Sequence, residues 1–202
     1  MRAIWDDGQR PAPLQDLVDV ALPAMAARAS CAESAASLVR IATAVRLTGR
    51  PGAAAQRLPV CAWLDHVLDQ PPAAPDLAAL FAALRALAPL MVWRQRAGDA
   101  TASANFADAH ANAMLLGPGG IEDRQDLWLG LSLLAPETRY PDHRHKPEET
   151  YLVLSPGEFR HGGSDWFQPG MGGSFYNTPD ILHAMRSGPA PLFALWALWV
   201  GS

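Results

Sequence analysis

The sequence predicts an α+β chain that is mainly β: a helical region over residues 1–100, then a jelly-roll β-barrel over 101–202. Three observations point there. Up to about residue 97, apolar residues recur at helical spacing in Ala- and Leu-rich segments. Near residue 98 the pattern changes to short apolar runs punctuated by Gly and Pro, as in an all-β barrel or sandwich. The second half also holds a tight group of histidine and carboxylate residues at strand spacing. At 202 residues and 50% hydrophobic, the chain can bury one or two modest cores.

Residues 1–13 are polar with two prolines and form an irregular lead-in. Residues 14–48 read as helical, because Leu14, Leu17, Val18 and Ala21, then Leu38, Ile41 and Val45, recur on one face. Pro23 is expected to kink or split this segment. Ser30 and Glu33 have capping-box spacing, so a second helix starts near residue 31. Gly49-Arg-Pro-Gly52 stops it. Residues 58–69 carry Trp63, Leu64, Val67 and Leu68 as a short amphipathic helix, with His66 partly exposed on it. Pro71-Pro-Ala-Ala-Pro75 is a stiff linker. Asp76 is expected to cap a helix that runs to about residue 97 with Pro89 inside it.

Strands are expected at 110–116, 126–134, 149–154, 164–168, 173–177, 182–187 and 191–199, separated by Gly- and Pro-containing turns. Strands at this spacing suit a jelly roll, which closes its own edges. The helices carry apolar stripes that need burial, and the outside of the barrel is the available partner. A helical cap over the barrel mouth would also shield a site inside.

Composition narrows the function classes. Charged residues are 18% of the chain and the net charge is −4, which argues against nucleic acid or anionic membrane as main partners. No apolar run approaches ~18 residues, so no membrane span is expected. The first ten residues lack a basic-then-apolar leader pattern, so a cytoplasmic location is expected. The two cysteines, Cys31 and Cys61, lie in apolar helical contexts. They read as buried free thiols in a reducing compartment, with a disulfide as the alternative.

The chemistry centres on Tyr140-Pro-Asp-His-Arg-His-Lys-Pro-Glu-Glu-Thr-Tyr151. On a strand, His143 and His145 share a face, because side chains alternate with period 2. Glu149 arrives from the next strand, past a bend at Lys146-Pro147. Downstream, His183 is a fourth candidate. Imidazole and carboxylate donors of this kind take one divalent transition metal such as Zn, Fe, Mn, Co or Ni. Tyr151 lies two residues after Glu149 and so faces the same way. A cation beside a phenol favours the phenolate, which makes Tyr151 a candidate general base. A metal that binds a substrate carboxylate also acidifies the adjacent C–H. Base and Lewis acid together suit proton abstraction next to a carboxylate, followed by loss of a β leaving group.

These residues resemble the two signatures of the cupin superfamily. H-x-H-x3-E matches through His143, His145 and Glu149, while Glu137 stands where the leading glycine is expected and Gly157 comes one residue late. In the second signature Gly173 and Pro179 match, Ile181 replaces the inner glycine, His183 comes one residue early and Ser187 replaces the final asparagine. The ligand positions are kept and the turn glycines drift.

The run Tyr140-x2-His143-x-His145-x3-Glu149-x-Tyr151, with His183 downstream, is similar to the cupin-type bacterial dimethylsulfoniopropionate lyases, in particular the DddQ-like ones. The match is specific over about 140–183 and architectural before it. The resemblance implies a metal held at His145, Glu149 and His183, with His143 lining or ligating the site. It implies Tyr151 as base and Tyr140 as a holder of substrate. The implied reaction is β-elimination of dimethylsulfoniopropionate to dimethyl sulfide and acrylate. The implied partner is a small sulfonium carboxylate, and a homodimer is compatible with it. A bulky sulfonium cation suits aromatic faces, and Trp128, Trp166, Phe175, Tyr176, Trp196 and Trp199 are the candidates. His110 and His161 read as surface or strand-end residues, Arg139 and Arg144 as solvated. The same ligands would also serve an Fe(II) dioxygenase, a non-catalytic small-molecule-binding cupin, or a lyase acting on another β-substituted acid.

Overall fold

The computed structural model describes Trp5 and residues 9–201. The remainder of the expected lead-in, residues 1–4 and 6–8, lies outside the described residues. The first helical segment divides as α1 (Ala12–Ala26) and α2 (Ala32–Ala44). Pro23 does not split α1, which continues one turn past it to Ala26. The break falls at residues 27–31 instead. The capping-box reading is also corrected. Cys31, not Ser30, is the N-cap of α2, and its Sγ accepts from the Ser34 N–H at 3.4 Å.

A 3-10 turn at Pro59–Cys61 leads into α3 (Ala62–Leu68), which buries Leu64, Val67 and Leu68 and turns Trp63 outward. α4 (Pro75–Leu87) starts on Pro75, where a missing N–H is harmless. Asp76 does not cap it; its carboxylate binds Arg28 beyond the end of α1. α4 is shorter than expected. Pro89 ends the helical run through a 3-10 turn at Ala88–Leu90, after which the chain is extended. A ring at that position blocks the hydrogen bond a longer helix would need.

The extended part begins before the predicted boundary. β1 (Arg50–Pro51) and β2 (Trp93–Arg94) join β3 (His110–Leu116), β4 (Glu122–Asp123), β5 (Leu127–Leu134), β6 (Glu148–Val153), β8 (Ser174–Asn177) and β10 (Leu192–Trp199) in one large sheet. Its order is β1-β4-β3-β5-β10-β6-β8, with β2 on β3. β7 (Glu158–His161) and β9 (His183–Arg186) form the second sheet. A short helix, α5 (Phe106–Ala109), leads into β3. The strand expected at 164–168 is absent; Phe167 makes a single bridge to Phe159 on β7.

β10 pairs with β5 and β6 along its two edges, and a separate core covers each of its faces, so its sequence is continuously apolar. The alternation survives in what each side chain touches. Phe193, Leu195 and Ala197 join the core shared with α1–α4, whereas Leu192, Ala194, Trp196 and Leu198 face the inner core with Phe159 and Met185 of the second sheet. β5 alternates likewise, sending Leu127, Leu129, Leu131 and Leu133 to the helices. The helices therefore pack on the outside of the large sheet, and α2 is tied there by a Ser34–Thr150 hydrogen bond of 3.0 Å.

The N-terminal end is fastened by a buried charge cluster. Glu122 on β4 is fully buried and accepts from Arg10 Nε at 2.5 Å, Arg124 Nη1 at 2.9 Å and the Gly49 N–H at 2.9 Å. Removing one member strands the others in low dielectric. Glu122→Ala is expected to lower the unfolding free energy by about 3–5 kcal/mol. Urea denaturation checks this, and a loss under 1 kcal/mol would mean that the cluster is effectively solvated.

Candidate metal centre and cavity

The site is assembled by backbone pairing. Residues 139–143 run antiparallel beside β9: the Tyr140 N–H donates to Met185 O at 2.9 Å, and His143 and His183 exchange both backbone hydrogen bonds at 3.0 and 2.9 Å. The Asp180 N–H donates to His145 O at 2.9 Å. Glu149 comes from β6, opposite Asn177 of β8, whose Nδ2 donates to Glu149 Oε2 at 3.0 Å. His161 at the end of β7 in turn contacts Asn177 Oδ1 at 2.8 Å.

Donor atoms of His145, Glu149 and His183 lie within 4.8 Å of one another. The Nε2 atoms of His145 and His183 are each 3.4 Å from Glu149 Oε2. Each ring has its Nδ1 fixed on a carbonyl, His145 on Pro147 O and His183 on Ile181 O, both at 2.9 Å. That places a proton on Nδ1, so that in the neutral ring Nε2 carries the lone pair a metal would take. His183 Nε2 is buried with no hydrogen-bond partner. An orphaned buried acceptor beside a carboxylate and a second imidazole fits a divalent cation. His143 lies beside this trio, its ring 4.0 Å from that of His183, but outside the close donor set.

Burial dominates the electrostatics. It pushes His143 down to about 3, helped by the charge of His183. Burial likewise lowers His183 against the opposing pull of Glu149. For Glu149 burial acts upward, but the His145 contact and the charges of His183 and His145 outweigh it and hold the carboxyl below its usual range. His145 shows the converse balance: burial lowers it, and Glu149 raises it by more. The carboxylate is thus kept ionised in the interior, as a ligand must be.

His145 and Glu149 of the trio open into a cavity of about 230 Å³ lined also by His143, Tyr140, Tyr151, Trp128 and Trp196 among others. Tyr151 is 3% exposed and stacked on Phe175 at 4.8 Å. Burial first, then the charge of Glu149, holds its phenol well above the ordinary tyrosine value. Tyr140 is 4% exposed, and its hydroxyl accepts from Asn112 Nδ2 at 2.8 Å. The aromatic candidates divide. Trp128 and Trp196 line the cavity. Phe175 backs Tyr151, Tyr176 is bonded to Glu148, and Trp199 and Trp166 sit under arginines elsewhere. No residue of α1–α4 lines the cavity, so the expected helical cap over the mouth is not what these helices form.

Several lining residues gave no usable signal in the sequence. Arg96 lines the cavity with its guanidinium 5.3 Å from the Tyr140 ring centroid. Its N–H is held by His110 Nε2 at 3.0 Å, while His110 Nδ1 is on Phe106 O at 2.5 Å. His110 is thus a fully buried, neutral pin at the start of β3, not a surface residue. Asn112 and Ser132 point inward from β3 and β5, each a polar residue between apolar neighbours. Arg139 is engaged with Asp142, and Arg144 is exposed.

Comparison with known proteins bears on this geometry. Residues 32–194 match the family model described as dimethylsulfoniopropionate lyase. A Cereibacter sphaeroides protein named as a candidate dimethylsulfoniopropionate lyase, DddL, is 33% identical over 98 residues. That alignment covers 48% of this chain and 41% of the relative, so the chain spans about two-fifths of the curated relative it matches. The crystal structure of the lyase DddQ from Ruegeria pomeroyi DSS-3 superposes with a TM-score of 0.73 at 25% identity, covering 94% of this chain and 92% of that one. A crystal structure reported for the lyases RdDddP and RnDddQII superposes with a TM-score of 0.68 at 24% identity over 93% of this chain and 92% of that chain, a likeness of fold. Both matches extend over the helical part as well as the barrel.

Proposed function

The chain belongs to the dimethylsulfoniopropionate lyase family, and from that premise we propose that it cleaves dimethylsulfoniopropionate to dimethyl sulfide and acrylate by β-elimination. The observation that carries this reading is that Tyr151, Trp128 and Trp196 line one cavity with His145 and Glu149, two members of the trio that His183 completes.

A divalent ion held by His145, Glu149 and His183 would acidify the C–H beside a bound carboxylate and offset the burial and charge that raise the Tyr151 phenol. Tyr151 takes the proton from the carbon next to the carboxylate. The electron pair left behind forms the carbon–carbon double bond, and the bond to sulfur breaks with its pair leaving on dimethyl sulfide. Trp128 and Trp196 face the sulfonium. Met114, Met185 and Leu198 close the cavity wall with apolar surface. Tyr140 holds the carboxylate end. His143 stays beside the trio as a lining residue. The metal is one of Zn, Fe, Mn, Co or Ni, all of which accept this donor set. A cytoplasmic location belongs to the same proposal, and the free thiols Cys31 and Cys61 suit a reducing compartment.

The test is incubation of protein loaded separately with each of these metals with dimethylsulfoniopropionate. Equal amounts of headspace dimethyl sulfide and acrylate are expected. Loaded protein that releases neither, with any of these ions, would overturn the reading.

A further inference from the structure

We propose that Asn112 is a positioning residue that sets the proton of Tyr140. A one-way hydrogen-bond chain through the barrel wall holds the Tyr140 phenol as a donor towards the cavity, where it meets the carboxylate of the ligand. The role for that donor rests on the functional reading above.

The direction of the chain follows from the donors and acceptors along it. Trp196 Nε1 contacts Ser132 Oγ at 3.1 Å, and an indole N–H can only donate. The serine accepts there, and the one acceptor its own hydroxyl meets among the described residues is Asn112 Oδ1 at 2.8 Å. With its oxygen so used, Asn112 presents Nδ2 to the Tyr140 hydroxyl at 2.8 Å. The phenol oxygen is an acceptor on that side. Arg96, stacked on the ring, offers only donors and cannot take the phenol's proton either. That proton is left to the cavity side. Gly130 makes the first link possible: a Cβ there would sit 2.2 Å from the Trp196 ring, so only glycine lets the indole cross β5 to Ser132.

A phenol held this way is a preset donor for an anionic oxygen, and its orientation costs nothing when the ligand arrives. A carboxylate is present in substrate and transition state alike, so the contact acts on KM more than on kcat.

Asn112→Asp is the sharpest test, since it keeps the shape and replaces the N–H by an acceptor. The phenol then donates to the new carboxylate at position 112 and turns away from the ligand. A fall of about 10- to 100-fold in kcat/KM is expected, mostly in KM. Asn112→Ala, which leaves the phenol free to reach the ligand, should be less harmful. In a Tyr140→Phe background Asn112→Asp should add less than about 3-fold. An alanine variant as impaired as the aspartate variant, or full additivity with Tyr140→Phe, would reduce Asn112 to a packing residue. Neutron diffraction on the perdeuterated wild-type protein decides the polarity without any turnover. Nδ2 facing Tyr140 Oη, with the phenol deuteron on the cavity side, is expected. A phenol deuteron lying between Oη and Asn112 overturns the inference even if the enzyme is an active lyase. The expected polarity in a protein without lyase activity would instead overturn the functional reading alone.

Discussion

His183→Ala is expected to strip the protein of its metal and abolish dimethyl sulfide release. His183 Nε2 is buried without a partner, 3.4 Å from Glu149 Oε2, and Ile181 O fixes the ring so that this nitrogen keeps its lone pair. Three protein donors are about the minimum for a catalytic site of this kind. Losing one leaves His145 and Glu149, a pair that many surface sites match. Elemental analysis after desalting should fall from about one metal per chain to near zero. The backbone hydrogen bonds between His143 and His183 do not involve the side chain, so circular dichroism should be unchanged. His143→Ala is the contrast: its ring lies outside the close donor set, and the metal should stay. Full occupancy in the His183 variant, or loss only in the His143 variant, would move the ligand set.

How much of this was legible in the sequence depended on the length of each signal. β3, β5, β6, β8, β9 and β10 were readable because their apolar runs are bounded by Gly or Pro. β1, β2 and β4 are two residues each and carry no period. β7, Glu-Phe-Arg-His, has a single apolar residue, which left one of the two strands of the small sheet unseen. Extending α4 across Pro89 hid β2 and, beyond it, Arg96 at the cavity. Asn112 and Ser132 looked like ordinary interruptions of apolar strands; only the register that sets them opposite one another gives them meaning.

The drift of the signature glycines has a physical account. Glu137, in the place of the leading glycine, has φ +54, a left-handed conformation that glycine adopts without strain. In the second signature the left-handed residue is Asp180 at φ +58, one position earlier than the motif's inner glycine. His183 is also one position early. The turn after Pro179 is shorter by one residue, and the left-handed residue and the histidine move together. Acidic residues with short or hydrogen-bonding side chains tolerate this region better than branched ones, which is consistent with aspartate at 180 and isoleucine at 181.

Tyr151→Phe is expected to lower turnover by roughly 10²–10⁴-fold, the range for loss of a positioned general base. The substitution is clean. Tyr151 is stacked on Phe175 at 4.8 Å and lies 5.7 Å from the Phe159 ring, and a phenylalanine keeps both contacts. Only the hydroxyl is lost, and with it the group beside Glu149 able to take the proton. Metal content should hold, because His145, Glu149 and His183 are untouched. Substrate binding should hold as well, since Trp128, Trp196 and Tyr140 remain. The effect should therefore fall on kcat and kcat/KM alike, the mark of an interaction made in the transition state. Exchange of the substrate hydrogen next to the carboxylate with deuterated solvent should fall in step with turnover. An oxygen-dependent reaction at the same ligands would survive the substitution, so the variant also separates elimination from dioxygenation. Dimethyl sulfide release near the wild-type rate would move the base role from Tyr151 to Tyr140 or to water.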